Sequence, residues 1–343
     1  MSAFKAVEYI NGELHLIDQR ALPVEKLVIR CKTLEEVVFA IKDMIVRGAP
    51  AIGATAAYGM LIGAKEVGSA LTLSKIREIK AILDASRPTA VNLMWATNRI
   101  VTKLENSGLV DVIQMLDMIE SEAHAIFNED AQHCKSMAEF GNALIEYGDT
   151  ILTHCNTGAL ATVAYGTALG VIREAHATGK NIHVYADETR PRLQGAKLTA
   201  WELMEEGIPS TLIPDSVAAT LIRDGKINLI IVGADRIANN GDTANKIGTF
   251  MLSALAKVYG VPFYIAAPTT TIDFDMASGD AIEIEERDAT EVTHIGNVRI
   301  APVGMAVFNP AFDVTPNANI TAIITEKGVI RPPFTDNIAK LRG

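Results

Sequence analysis

The sequence predicts an α/β protein, with a mainly helical N-terminal domain bearing a small β element over residues 1–147 and a Rossmann-like, doubly wound parallel-sheet domain over residues 148–343. Three observations predict it. Apolar residues recur at helical spacing through much of the N-terminal part. From Thr150 onward, short uninterrupted apolar runs alternate with helix-length segments. The turns that follow those runs are polar or Gly-rich. Such runs suit strands buried on both faces, and the segments between them are long enough to cross over between parallel neighbours.

Taking the elements in order, Ala6 to Ile10 and Glu13 to Ile17 flank Asn11-Gly12, a pair that accepts the positive φ angles of a type I′ turn, so the chain opens on a hairpin. A strand is expected at Leu27 to Arg30. Thr33 with Glu36 forms a capping box ahead of Val37, Val38, Ile41, Met44 and Ile45, which starts a helix that should end near Arg47-Gly48. Pro50 then suits the first turn of an Ala-rich helix. Further helices are expected at Ser74 to Asp84, Thr89 to Leu104 and Leu109 to about Glu146, with Gly148-Asp149 as the stop.

The expected strands of the second domain are Thr150 to Thr153, His183 to Ala186, Thr211 to Ile213, Leu229 to Val232, Phe263 to Ala266 and Thr321 to Ile324. Helices around Leu160 to His176, Lys197 to Glu206, Ser216 to Arg223 and Gly248 to Tyr259 connect them. Right-handed crossovers of that kind build a doubly wound sheet.

Composition narrows the function classes. With 41 acidic against 31 basic side chains and a formal charge of −10, the chain is a poor partner for nucleic acid or an anionic membrane. A phosphorylated small molecule remains compatible, because a pocket needs only a few local cations. Cys31, Cys134 and Cys155 are odd in number and form no CxxC pair, so reduced thiols are expected, with neither zinc nor a redox dithiol. The segment MSAFKAVEYINGELHLIDQR breaks its apolar residues with charges before a signal-peptide core could form, and no window approaches a membrane span. A cytoplasmic location is expected. GxGxxG after the first buried strand, GxxxxGK[ST] and HExxH are all absent, which weakens dinucleotide, P-loop and zinc readings.

In an open parallel sheet the ligand crevice lies beyond the carboxyl ends of the strands. Cys155, after the strand ending at Thr153, is placed at the start of a helix, where the partial positive charge favours thiolate; the alternative is a small apolar filler. Asp235 follows Leu229-Ile230-Ile231-Val232 and Gly233-Ala234, so its carboxyl should lie deep and desolvated, with a raised pKa suited to proton donation. Equally, it can pair with Arg236 or cap a turn. Asp187 and Asp215 are similar strand-end carboxylates, with N-capping as their simpler role. Arg47-Gly48-Ala49-Pro50 and Ser86-Arg87-Pro88-Thr89 each couple a guanidinium to a helix start, an arrangement that can bind an anion or leave a solvated Arg. Asn245-Lys246 follows the turn Ala238 to Asp242 and can reach the crevice or stay exposed.

Several segments are recognisable together: RGAPAIGATAAYG from Arg47, SRPTAVNLMWA from Ser86, THCNTGALAT from Thr153, DETRPRLQGAKLTAWEL from Asp187, VGADRIANNGDTANKIGT from Val232 and FNPAFDVTP from Phe308. With them the sequence resembles the methylthioribose-1-phosphate isomerases over essentially its whole length. That family shares its fold with ribose-1,5-bisphosphate isomerases and with regulatory subunits of the translation-initiation guanine-nucleotide exchange factor. The resemblance implies Asp235 as proton donor and Cys155 as transition-state stabiliser or proton shuttle. It implies substrate binding by Arg47, Gly48, Ala49, Arg87, Gln194, Asn245 and Lys246. The chain lacks only a Trp expected near Val7, a difference that concerns packing.

The implied reaction isomerises 5-methylthioribose 1-phosphate to the ribulose 1-phosphate in methionine salvage, with no cofactor or metal and a homodimeric enzyme. The nearest alternatives act on ribose 1,5-bisphosphate or 5-deoxyribose 1-phosphate. A different class, a non-catalytic sugar-phosphate- or nucleotide-sensing subunit, would bind without turnover.

Overall fold

The computed structural model describes residues 4–88 and 90–342, so Thr89, the expected start of the fourth helix, lies outside the described residues. The chain divides into two compact units, Met1–Cys134 with Gly158–Gly166, and Lys135–Thr157 with Thr167–Gly343. The sequence reading set its boundary between residues 147 and 148.

In the first unit, β1 (Val7–Ile10) and β2 (Glu13–Ile17) form the expected hairpin, with Asn11 at φ 52° and Gly12 at φ 86°, both in the region a type I′ turn requires. β3 (Val28–Cys31) pairs antiparallel with β2. Thr33 caps α1 (Leu34–Lys42) through the full capping box with Glu36. α1 stops short of Arg47, because Met44 turns into positive φ and Ile45 and Val46 go into the core.

α2 (Ala49–Val67) is buried from Ala51 through Ala64, an all-round apolar helix of small residues wrapped by its neighbours. α3 (Leu73–Ser86), α4 (Val91–Ser107) and, as far as Cys134, α5 (Val112–Asn142) complete the helical set. Glycine is needed on α2 for close approach: a Cβ on Gly59 would stand 2.9 Å from side-chain atoms of Leu83 and Val37.

The second unit is built on a seven-stranded sheet. In chain order its elements are β4 (Thr150–Thr153), α6 (Ala168–Ala177), β5 (His183–Asp187), α7 (Ala200–Glu205), β6 (Ser210–Ile213), α8 (Val217–Arg223), β7 (Leu229–Val232), β8 (Arg236–Ala238), β9 (Thr243–Lys246), α9 (Thr249–Tyr259), β10 (Phe263–Ala266) and β11 (Ile272–Asp273). There follow α10 (Thr290–Thr293), β12 (His294–Ile295), β13 (Val298–Arg299), β14 (Phe312–Thr315), β15 (Ala322–Thr325), β16 (Gly328–Ile330) and α11 (Phe334–Ala339).

The sheet order is β16-β15-β10-β7-β4-β5-β6, parallel except for the edge strand β16. All six strands expected from the sequence are in it. From β4 the chain winds outward through β5 and β6, then returns to β7 and winds the other way. The order therefore reverses between β4 and β7, the topological switch point at which open sheets bind ligands. β7, β10 and β15 are buried along their whole length, as runs of Ile, Val, Phe and Ala on a two-sided sheet should be.

Two features depart from the sequence reading. A second sheet, β11-β8-β9-β14, was not foreseen; its strands are short and partly polar and carry no continuous apolar run. And the helix expected from Leu160 begins only at Ala168. Residues 158–166 are held as irregular turns in the first unit instead, where Gln19 Nε2 donates to the Leu160 carbonyl at 2.7 Å and Val163 N–H to Asp130 at 3.0 Å. Among the described residues no helix is long and apolar enough to cross a membrane.

Candidate active site

Cys155 lies two residues beyond β4, and its surroundings are set by hydrogen bonds on both sides. It adopts φ 65°, a left-handed conformation that a non-glycine residue keeps only when its neighbours enforce it. Its N–H donates to Thr189 Oγ1 at 2.9 Å, and its carbonyl accepts from Thr199 Oγ1 at 2.5 Å. Asn156 Nδ2 donates to Glu202 Oε1 at 2.8 Å. Glu202 is wholly buried and ion-paired with Arg173 at 3.3 Å. Thr157 accepts from Thr167 and Leu169.

The thiol itself is half-buried. The expected helix N-terminus at Cys155 is absent, since α6 starts thirteen residues later; backbone capture by two threonines is what fixes this cysteine.

Asp235 sits between β7 and β8, and its N–H donates to the Ala244 carbonyl at 2.9 Å, continuing the β8–β9 ladder. Contrary to the expectation of a desolvated carboxyl, Asp235 is exposed. The apolar run before it buries β7 but ends at Val232, and the small residues Gly233-Ala234 carry the chain back toward the surface. The neighbouring Arg236 guanidinium goes to Asp273 at 2.7 Å.

Gly233 lets the two loops meet: a Cβ there would lie 2.7 Å from Thr157 Cγ2. The structure thus brings the Cys155 and Asp235 loops together across the switch point.

Asn245 and Lys246 end β9, the partner of β8, so the same ladder that holds Asp235 carries them. Both are buried. Asn245 Nδ2 donates to Thr249 Oγ1 at 3.0 Å, and Lys246 Nζ donates to the Ala311 carbonyl at 2.6 Å while lying 4.5 Å from the Phe312 ring centroid. The exposed-lysine alternative is overturned. Gln194 is 4% exposed, and its Oε1 has no hydrogen-bond partner among the described residues, an acceptor left ready inside the fold. It leads into the π-helical turn Gly195–Thr199, where a Cβ on Gly195 would fall 1.7 Å from the Asp187 carbonyl oxygen.

Arg47, Gly48, Ala49 and Arg87 belong to the first unit. Arg47 is half-buried directly before α2, and Arg87 is half-buried at the C-terminal end of α3. Gly48 has φ 98°, and a Cβ on it would stand 2.1 Å from the Ala161 carbonyl oxygen, so only glycine fits.

Two strand-end carboxylates have roles other than N-capping. Asp215 accepts the N–H groups of Thr189 and Arg190, both at 2.7 Å, and so shapes the turn that holds Cys155. Asp187 pairs with His154 at 2.8 Å. Sequence reasoning missed His154, Thr189, Thr199 and Glu202. Only His154 had a visible signal, a histidine directly after a strand built on Ile151-Leu152.

The profile of the initiation factor 2 subunit family matches residues 45–332. This chain belongs to that family. Among its relatives, the methylthioribose-1-phosphate isomerase of Thermoanaerobacter sp. (strain X514) is 62% identical over 345 residues, covering all of both chains. The crystal structure of 5-methylthioribose 1-phosphate isomerase from Pyrococcus horikoshii OT3 superposes with a TM-score of 0.95 at 45% identity, covering 99% of this chain and 96% of that one. The structure named as translation initiation factor eIF-2B, subunit delta, from A. fulgidus gives 0.90 at 43% identity and covers 99% of each.

Proposed function

We propose that this family member is an aldose–ketose isomerase that converts 5-methylthio-α-D-ribose 1-phosphate into 5-methylthio-D-ribulose 1-phosphate, the activity in the names of its 54–62% identical relatives. The supporting observation is the placement of Cys155 and Asp235 in contacting loops at the switch point, with Asn245 and Lys246 on the adjoining ladder.

The 1-phosphate holds the sugar as a closed ring. Asp235 protonates the ring oxygen as its bond to C1 breaks; hydrogen then moves from C2 to C1 while the C2 hydroxyl releases its proton and becomes the ketone, and that proton makes good the one Asp235 gave. Substrate and product are isomers, so the stoichiometry needs no external oxidant or reductant. Because Asp235 is exposed, the bound sugar itself must exclude water from its carboxyl to make it a useful acid. Cys155 serves as proton shuttle or stabilises the transition state of a hydride shift. Turnover in D2O separates these, since only the shuttle brings solvent deuterium to C1.

Arg47 and Arg87, with the backbone of Gly48 and Ala49, hold the phosphate; Gln194, Asn245 and Lys246 orient the sugar hydroxyls. A place in methionine salvage, a cytoplasmic location and a homodimer complete the reading. The test is turnover by the purified protein on 5-methylthioribose 1-phosphate, ribose 1,5-bisphosphate and 5-deoxyribose 1-phosphate. The first should give the highest kcat/KM, and preference for either of the others would overturn the substrate. The name of the A. fulgidus structure favours a second reading, a non-catalytic initiation-factor subunit; turnover on none of the three would favour it.

A further inference from the structure

A buried titratable pair beside Cys155 is unused by the chemistry above. The His154 side chain is 1% exposed; Nδ1 lies 2.8 Å from Asp187 Oδ2, and Nε2 lies 2.9 Å from the Ile247 carbonyl oxygen. A carbonyl oxygen only accepts, and so does an ionised carboxylate. A neutral imidazole has one N–H, so one of these contacts would set a ring lone pair against an oxygen lone pair where water cannot intervene. Both are hydrogen bonds only when two protons are present, one on Nε2 and one within the Nδ1–Oδ2 contact.

The charged groups around the pair favour keeping that second proton. Asp215, after β6, places a carboxylate oxygen within 4.8 Å of the facing atoms of His154 and Asp187. Glu188 adds negative charge at Asp187, and Asp313, itself faced by Lys246, adds it at His154. Burial by itself would lower the His154 pKa, but the Asp187 hydrogen bond and charge outweigh it and the net direction is upward. Asp187 is also raised, chiefly by burial, with His154 opposing. Asp187 Oδ1 has no hydrogen-bond partner among the described residues, which suits a carboxyl sharing a proton better than a bare carboxylate.

The pair joins three strand-end segments. His154 precedes Cys155. Asp187 leads to Thr189, whose hydroxyl donates to the Asp187 carbonyl at 3.2 Å and accepts the Cys155 N–H. Ile247 follows Asn245-Lys246, and Gly248 packs on the imidazole so closely that a Cβ would lie 3.0 Å from Cε1.

We infer that His154 and Asp187 are a positioning pair, a two-proton cross-link that sets the Cys155 loop against the Asn245-Lys246 strand without touching the reacting atoms. This rests on the isomerase reading for its consequence, though not for its proton count. A pair whose folded pKa is raised keeps its link below that pKa and loses it as pH rises through it. Turnover should therefore carry an alkaline limb that belongs to this pair.

Two measurements on the intact chain test it. Imidazole 15N shifts with the Asp187 carboxyl 13C shift count the protons: two are expected at about pH 7.5, where a free histidine is mostly neutral. A single proton, on a neutral ring beside an ionised Asp187, overturns the inference whatever the substrate is. In the second, His154→Ala should lower kcat by ~100-fold and lose the limb, as loosened alignment would. Asp187→Asn, whose amide still donates to Nδ1 of a neutral ring, should recover ~10-fold of that loss, also without the limb. A limb that persists in both variants, or Asp187→Asn as slow as His154→Ala, rejects positioning. If His154→Ala does not fold, Asp187→Asn and the proton count decide. Absence of turnover in the wild type would sink the isomerase reading and leave the proton count standing on its own.

Discussion

Thr157 packs its methyl group against Gly233, and this contact joins the loop of Cys155 to the loop of Asp235. β4 and β7, from which the loops emerge, are hydrogen-bonded neighbours with Leu152 opposite Ile230. Two residues separated widely in sequence thus leave the sheet side by side. Gly233→Ala would add a Cβ 2.7 Å from Thr157 Cγ2 and push the loops apart. It should cost about 1–3 kcal/mol of stability by overpacking and lower kcat by more than ~10-fold through misalignment. Denaturant unfolding beside steady-state kinetics reads both; unchanged kcat would mean that this spacing is irrelevant to turnover.

Cys155→Ser and Asp235→Asn should each reduce kcat by ~1,000-fold or more, with KM changed far less, because each removes a group used in the chemical steps, Asp235 at the ring oxygen and Cys155 at the C2-to-C1 transfer, rather than in binding. Neither side chain belongs to the core, so circular dichroism and melting temperature should stay near wild type. A rate within ~10-fold of wild type in either variant would remove that residue from the mechanism.

Arg87→Ala addresses the phosphate. If its guanidinium holds the substrate in ground and transition states alike, KM should rise by ~10-fold or more while kcat changes less. Substrate-saturation curves decide, and an unaltered KM rejects the clamp.

Gly48→Ala is expected to be a folding lesion. The residue has φ 98°, and its Cβ would meet the Ala161 carbonyl at 2.1 Å, so backbone strain and a backbone clash combine. A loss of about 3 kcal/mol or more is expected, measurable by urea unfolding. A loss under ~1 kcal/mol would show that the 158–166 segment yields easily.

Asp130 predicts a pH effect. Burial, only partly offset by the Val163 N–H, pushes its carboxyl up to about 7. The folded value thus lies above the unfolded one, roughly 3.9, so the folded state holds the proton more tightly. Its contribution is present below about pH 4 and is lost as pH rises toward about 7. Asp130→Asn keeps an acceptor for Val163 and removes the titration. Its melting temperature should match wild type near pH 4 and exceed it by roughly 2–4 °C near pH 8; equal melting temperatures at both would assign the effect elsewhere.

Much of this was legible along the chain. The β1–β2 hairpin followed from Asn11-Gly12, α1 from the Thr33–Glu36 box, and six sheet strands from apolar runs, because each signal is local and acts through nearest-neighbour backbone geometry. The β8–β9–β14 sheet was not, since its strands are short and draw their stability from pairing with distant segments. The stretch from Leu160 to Thr167 read as helix because its apolar spacing allowed it; packing of Ala161 against Gly48 and the start of α2 decided otherwise.

For the site, the sequence by itself determined which strand ends carry Cys155 and Asp235 and which strand-end turn carries Gln194, since a buried run ended by a polar turn marks where a strand stops; β9, which ends at Lys246, it did not show. Only the tertiary structure decided their surroundings. Desolvation depends on what packs over a residue, so Asp235 proved exposed and Lys246 buried, opposite to the simplest reading of their neighbours. Hydrogen-bond partners are likewise non-local: Cys155 is held by Thr189 and Thr199, and His154 by Asp187 and Ile247, pairings that exist only once parallel strands set distant loops side by side.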